Sequence, residues 1–305
     1  MSTPPSNKSK RRKDIVQWWS DRINDLRRES DKLYQQDPTV YEVGPQAVSK
    51  LAILSYYIDV YTKIMKNQFK SKEICYVDLF AGCGLCKIKG SDDVILGSAT
   101  IASYIPQQNY KFDKYVLIEK DSSFASALKK RIPNAKVIDK DVNGIHINKL
   151  LDNYCGNNNP ILAFIDPEGL ELKWKTLEQI LQRWSDVIIN YHPVAVRRVV
   201  GKADEMAETL TEFFGTTKWQ KLEENEQEFL ELYKQKIMQY KQVVESIKVQ
   251  GKSTFYYYII VATRKTRGRN PWLRAIHQLK NFIEKTPGDI IQTLLDIYRG
   301  KQATL

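Results

Sequence analysis

The sequence predicts an α/β protein: a Rossmann-like, doubly wound sheet of seven mostly parallel strands, closed by an antiparallel hairpin and preceded by a helical extension. Three observations predict it. Short apolar runs alternate with helical stretches from Ile74 to Tyr191. Acidic residues stand at successive strand ends, at Asp78, Glu119, Asp141 and Asp166. A Gly-x-Gly turn, Gly82-Cys83-Gly84, follows the first of those strands at once.

Taken in order, residues 1–13 are a basic tail ending in Lys8-Ser9-Lys10-Arg11-Arg12-Lys13, expected to be disordered. Residues 14–70 form a helical extension packed on the core. Its first helix carries Ile15, Trp18, Trp19, Ile23 and Leu26 at helical spacing, and its second, Gln46 to about Asn67, is apolar nearly all round. Residues 71–264 carry the alternation. Strands are expected at Ile74–Phe80, Lys114–Glu119, Ala135–Asp139, Ile161–Asp166 and Val187–Tyr191. Helices are expected from about Ser98 to Ile105, Ser122 to Arg131, Ile145 to Tyr154 and around Trp174–Trp184. A loop through Lys87, Lys89 and Gly90 joins the glycine turn to the first of these helices. Beyond Pro193 come helices at Ala203–Phe214 and Glu224–Tyr240, then strands at Val243–Val249 and Ser253–Thr263 joined at Gln250-Gly251-Lys252. Residues 265–305 hold two closing helices, about Trp272–Glu284 and Asp289–Tyr298. An antiparallel hairpin after five parallel strands is where class I methyltransferases depart from the dinucleotide-binding fold, so the architecture resembles theirs.

Composition excludes several classes. With 42% hydrophobic and 27% charged residues over 305 positions, the chain is ordinary for a globular protein. The start of the chain lacks the apolar stretch of a signal peptide, and no run is long enough to span a membrane. Four cysteines in so long a chain make a disulfide framework improbable, so a reducing, cytoplasmic setting is expected. Cys83 and Cys86 have no second ligand pair, so no metal is expected and they read as small loop residues. The formal net charge of +11 favours a polyanionic partner such as nucleic acid, with a solvated basic surface as the alternative.

The glycine pattern and the acid spacing argue against a dinucleotide and disfavour a nicotinamide oxidoreductase. Lys87 stands where the third glycine of Gly-x-Gly-x-x-Gly belongs, and Glu119 follows Asp78 by 41 positions (119 − 78), against roughly 20 in the NAD fingerprint. Acids on two neighbouring strands suit a ligand with an ammonium at one end and a ribose diol at the other, which is S-adenosylmethionine. Asp78 is expected to attract the ammonium, while Phe80, Gly82 and Gly84 bring the backbone close. Glu119, beside Lys120, is expected to accept both ribose hydroxyls, and Asp141, beside Val142, the adenine amino group.

Asp166-Pro167-Glu168-Gly169 is the candidate for the chemistry. The Asp166 carboxylate and the Pro167 carbonyl can accept both N–H bonds of an aromatic amine and localise its lone pair, as in the Asp-Pro-Pro-Tyr motif of amino-methylating nucleic-acid enzymes. Asp-Pro-x-Gly is closer to the motif of tRNA guanine-N2 methyltransferases. Tyr191 or Trp174 is a candidate stacking surface, Trp174 being also a core candidate. His192 is a candidate proton acceptor, and Arg197, Arg198, Arg264, Lys265, Arg267 and Arg269 are candidate phosphate contacts.

Several stretches together resemble the three-Cys-motif partner family (TcmP). They are Tyr76-Val77-Asp78-Leu79-Phe80-Ala81-Gly82, Gly97-Ser98, Ile118-Glu119-Lys120-Asp121, Phe164 to Glu171 with Trp174, Phe213-Phe214-Gly215-Thr216 with Trp219, and Tyr257-Tyr258 with Ala262-Thr263-Arg264. The resemblance spans roughly Lys50 to Arg264. It implies a class I S-adenosylmethionine-dependent methyltransferase fold, a companion protein with a three-cysteine, radical-SAM-like motif, and a prokaryotic or phage-related setting. Glu168 replaces the aromatic usual in the family's Asp-Pro-x-Gly. A methyltransferase-like scaffold without activity is the alternative reading of the same resemblance.

Overall fold

The computed structural model describes residues 21–22, 25–104, 110–223, 225–250, 255–265, 271–285, 290–299 and 301. The basic tail, Trp18, Trp19, the Gly251-Lys252 turn, Arg267 and Arg269 lie outside the described residues.

The large sheet contains β2 (Cys75–Asp78), β5 (Lys114–Glu119), β6 (Lys136–Asp139), β7 (Ile161–Ile165), β8 (Ser185–Tyr191), β9 (Val243–Gln250) and β10 (Tyr256–Thr263). Its order is β6-β5-β2-β7-β8-β10-β9. Only β10 runs against its neighbours, pairing antiparallel with both β8 and β9, while β6, β5, β2, β7 and β8 pair in parallel. This is the expected Rossmann-like sheet of seven mostly parallel strands with one reversed strand. The order reverses at β2, so the crevice for a ligand opens above the carboxyl ends of β2, β5 and β7.

Strand residues alternate between two cores. One face turns Tyr76, Leu117, Leu162, Ile188 and Ile259 toward α2 (Ala47–Gln68), α10 (Pro271–Lys285) and α11 (Ile290–Tyr298). The other turns Val77, Ile118, Ala163, Ile189 and Ile260 toward α5 (Ile147–Tyr154), α6 (Trp174–Leu181), α7 (Pro193–Val200), α8 (Ala203–Phe214) and α9 (Glu226–Met238). Both faces are covered, which is why these strands read as continuous apolar runs. Trp174 is core: its ring packs edge-on to Tyr233. Among the described residues no helix is long and apolar enough to cross a membrane.

The glycine turn does not lead straight into a helix. A hairpin, β3 (Leu85–Ile88) and β4 (Val94–Leu96), precedes α3 (Ser98–Ser103). Strand β1 (Tyr41–Val43), from the extension, adds to β3 in parallel and makes a second sheet over the crevice. It is fastened by the Arg131 guanidinium, at the end of α4 (Ser122–Arg131), which donates to the carbonyls of Cys83 (2.6 Å), Asp37 (2.6 Å) and Thr39 (2.7 Å).

Helix α8 ends at Gly215, whose φ of +62° is the left-handed cap. A Cβ there would overlap the Trp174 indole. Gly215→Ala is therefore expected to destabilise the fold by about 3 kcal/mol, combining left-handed strain with overpacking; urea unfolding that matches the parent would contradict this packing.

Candidate active site

A cavity of about 450 Å³ opens where β2, β5 and β7 end, roofed by β1 and β3. Phe80, Gly82, Gly84, Glu119, Lys120, Asp166, Pro167, Glu168 and His192, all expected site residues, line it. Six carboxylates (Glu42, Glu119, Asp121, Asp166, Glu168, Glu171) and three lysines (Lys50, Lys89, Lys120) line its wall, a formal charge of −3.

At one end Glu119 spans the turn. Its Oε2 accepts from the Gly82 amide at 2.8 Å and its Oε1 from the Asp121 amide at 2.8 Å. Gly82 has φ +60° and nothing within 4 Å of a would-be Cβ, so the backbone faces open space at the cavity wall. Each Glu119 oxygen keeps a further lone pair for a ligand. Phe124, in the first turn of α4, and Tyr41, on β1, meet edge-on at 5.7 Å and form an aromatic wall beside it.

Asp78 lies beneath the turn rather than on the cavity wall, which corrects the expected direct contact. It is fully buried, and its oxygens accept from the Tyr76 hydroxyl (3.0 Å) and the Phe80 amide (3.2 Å), with Ser98 also bonding to it. Burial pushes its pKa up to about 7 despite these donors. Asp141 and Val142 are a second correction. The chain turns down after β6 in a single 3-10 turn, where Asp141 caps the Asn143 amide at 2.8 Å and Val142 is buried, and neither lines the cavity. Asn143 then ties this turn to the loop after β7, donating to the Glu171 carbonyl (2.7 Å) and accepting from the Lys173 amide (3.0 Å).

The other end is a polar corner. Lys50, from α2, pairs with Asp166 Oδ2 at 2.5 Å, the two side chains being 19% and 16% exposed. Asn190 Nδ2 donates to Asp166 Oδ1 at 2.6 Å and lies 2.9 Å from His192 Nε2. Facing a carboxylate fixes the Asn190 amide with its nitrogen toward Asp166, so its second hydrogen makes His192 Nε2 the acceptor. The proton of the neutral ring is then on Nδ1, and His192 makes a backbone hydrogen bond to Pro167. Burial lowers the His192 pKa; Lys50 adds to this and Asp166 opposes it. Both ring nitrogens are engaged, which corrects the expectation of a free proton acceptor. The acceptors expected for an amine each have one donor already: each Asp166 oxygen takes a donor within 2.6 Å and His192 bonds to the Pro167 backbone, and each of these oxygens keeps a second lone pair.

Sequence reasoning missed Lys50 and Asn190 as site residues. The one signal for Lys50 was a lone cation among the buried positions of α2.

The expected phosphate contacts divide. Arg197 and Arg198 are exposed on α7, which starts beside His192, and Arg197 pairs with Glu226 at 3.2 Å. Arg264 and Lys265 sit at the sheet edge opposite the cavity. β10 pairs Tyr258 with Tyr191 near the cavity but Ala262 with Val187, so its last residues exit beside Asp186 and Lys241. The Cys83 and Cys86 thiols are raised by burial, Cys86 to about 12. Among the described residues no cluster of three His, Cys, Asp or Glu could hold a metal.

No protein-family model matches the chain, and no curated protein does. Among solved structures it is similar to protein LPL1258 from Legionella pneumophila, at 13% identity over 77% of this chain and 93% of that one, TM-score 0.46. It is also similar to an rRNA methylase from Streptococcus thermophilus, at 11% identity over 68% and 94%, TM-score 0.37. The plantazolicin methyltransferase BpumL in complex with SAH is similar at 11% identity over 83% and 99%, TM-score 0.39.

The raised Asp78 pKa links stability to pH. From its ordinary 3.8 up to about 7 the unfolded chain has lost this proton while the folded chain keeps it, so stability falls as pH rises through that window. Asp78→Asn removes this component. The expected result is a stability gap between variant and parent that shifts in the variant's favour from pH 4 to pH 7 in urea titrations; parallel curves would contradict it.

Proposed function

We propose that this protein is an S-adenosylmethionine-dependent methyltransferase whose substrate is a nucleic acid. The observation that carries the reading is Glu119 bound across the Gly82 turn in the wall of an acidic cavity. The residues fit the methyl donor. An open glycine backbone can take the methionyl chain, a forked carboxylate the ribose diol, and the Tyr41–Phe124 wall the adenine. The wall's formal −3 suits a ligand bearing a sulfonium and an ammonium. A net charge of +11 on the whole chain supports a polyanionic substrate, with exposed Arg197 and Arg198 on α7 as contacts.

The Lys50 and His192 contacts bear on the alternative. A corner tied together by its own ion pair and hydrogen bonds also fits a cofactor-binding scaffold for the three-Cys-motif companion that the sequence resemblance implies. Methyl transfer from labelled donor to nucleic acid, with and without that companion, separates the two readings.

Calorimetry with S-adenosylhomocysteine tests the cofactor assignment. Glu119→Ala is expected to weaken binding by about 100-fold, the loss of two charge-assisted hydrogen bonds. Asp166→Asn, at the other end of the cavity, is expected to bind like the parent. Equal affinity in Glu119→Ala and parent would remove Glu119 from the site.

A further inference from the structure

The corner formed by Lys50, Asp166, Asn190 and His192 offers its visitor an unused donor, the Lys50 ammonium. The Lys50 ammonium carries three hydrogens; Asp166 takes one, and no other described residue engages it. Each Asp166 oxygen and the Pro167 carbonyl already has one donor and keeps a second lone pair, whereas the unused hydrogens belong to Lys50. Asn190 Oδ1 has no partner, but it is buried. An exocyclic amine, with two hydrogens to give and a lone pair delocalised into its ring, meets an ammonium here. A hydroxyl fits better, since its oxygen accepts from Lys50 while its hydrogen is given elsewhere. Glu168, two residues after Asp166, lines the same cavity, and no described residue engages its carboxylate.

We infer that the group methylated is a hydroxyl, and that Lys50, brought by helix α2 from the extension, holds its oxygen. This rests on the methyltransferase reading above. Of the polyanions that a basic protein attracts, RNA carries a hydroxyl on every sugar, so the substrate class is the RNA 2′-hydroxyl. In the step itself the hydroxyl oxygen attacks the donor methyl carbon. A C–O bond forms and the C–S bond breaks with its electron pair left on sulfur, while the hydroxyl proton passes to Glu168. Lys50 stabilises the negative charge growing on the oxygen, and Asp166 keeps the ammonium aimed.

The experiment incubates the full chain with methyl-labelled S-adenosylmethionine and total cellular RNA, then hydrolyses the RNA in alkali. A ribose methyl blocks cleavage of the following phosphodiester, so the expected label is in alkali-stable dinucleotides. Label in mononucleotides would mark a base and overturn the hydroxyl assignment while leaving methyl transfer intact. Lys50→Met is expected to lose about 100-fold in labelling rate, the scale of one charge-stabilising donor, with S-adenosylhomocysteine affinity like the parent and some loss of stability from leaving Asp166 without its partner. Lys50→Arg keeps the charge and is expected to retain part of the rate. Labelling by Lys50→Met at the parent's rate overturns the role of Lys50, and so does a selective loss of S-adenosylhomocysteine binding in that variant. RNA left unlabelled by a parent protein that still binds S-adenosylhomocysteine removes the proposal together with RNA as substrate.

Discussion

The hydrogen bond from the Gly82 amide to Glu119 joins the two strands that define the cavity, and most of the site follows from it. A backbone amide at the end of β2 points at the end of β5 only if the chain turns sharply after Phe80. Buried Asp78 enforces that turn by accepting the Phe80 amide from below. Above, Arg131 draws the Cys83 carbonyl and the segment before β1 to a single guanidinium, so the roof is fixed to the same turn. The turn is therefore held from beneath by a carboxylate, from the side by a second and from above by a guanidinium. A preorganised loop of this kind loses little entropy when a ligand arrives.

The opposite end is built as a closed circuit. It leaves residue 166 through a side chain and returns to residue 167 through its carbonyl: Lys50 and Asn190 donate to Asp166, Asn190 donates on to His192, and His192 bonds back to Pro167. Each donor meets an acceptor, so the loop after β7 is rigid although it carries no regular structure. The circuit also sets the His192 tautomer, and burial keeps the ring neutral. His192 thus holds the Asp-Pro backbone in place instead of moving protons.

Much of the architecture was legible because buried parallel strands must be apolar and their ends must carry polar groups. The runs ending at Asp78, Glu119 and Asp166 gave both the sheet and the edge on which a ligand sits. The hairpin β3–β4 was not legible: Leu85-Cys86-Lys87-Ile88 is short, and its pairing with β1 depends on a segment more than forty positions earlier (86 − 41 for Cys86 and Tyr41). The edge on which Arg264 and Lys265 stand was not legible either, although they follow the last strand. Strand direction decides the edge, and β10 is the reversed strand, so its end emerges on the far side. Asp141 resembled its neighbours at strand ends in everything but the local turn that removed it from the wall. The role of Lys50 was not legible, because a charge on a buried helix has meaning only once its partner, 116 positions later (166 − 50), is known.

The distribution of charge separates the two jobs of the molecule. The chain carries a formal +11, yet the cavity wall sums to −3, so all of the positive surplus lies outside the cavity. A polyanion is drawn to such a surface by long-range attraction but is repelled from the cavity floor, whereas a small cation is drawn inside at short range. Of the three lysines on the wall, Lys50 is the one paired with Asp166, where the two kinds of ligand would meet. Without it that corner would present a bare carboxylate to a phosphate-bearing chain. With it the pair is neutral as a unit and still offers a donor, so a negatively charged substrate can approach a positively charged methyl donor without crossing an acidic barrier.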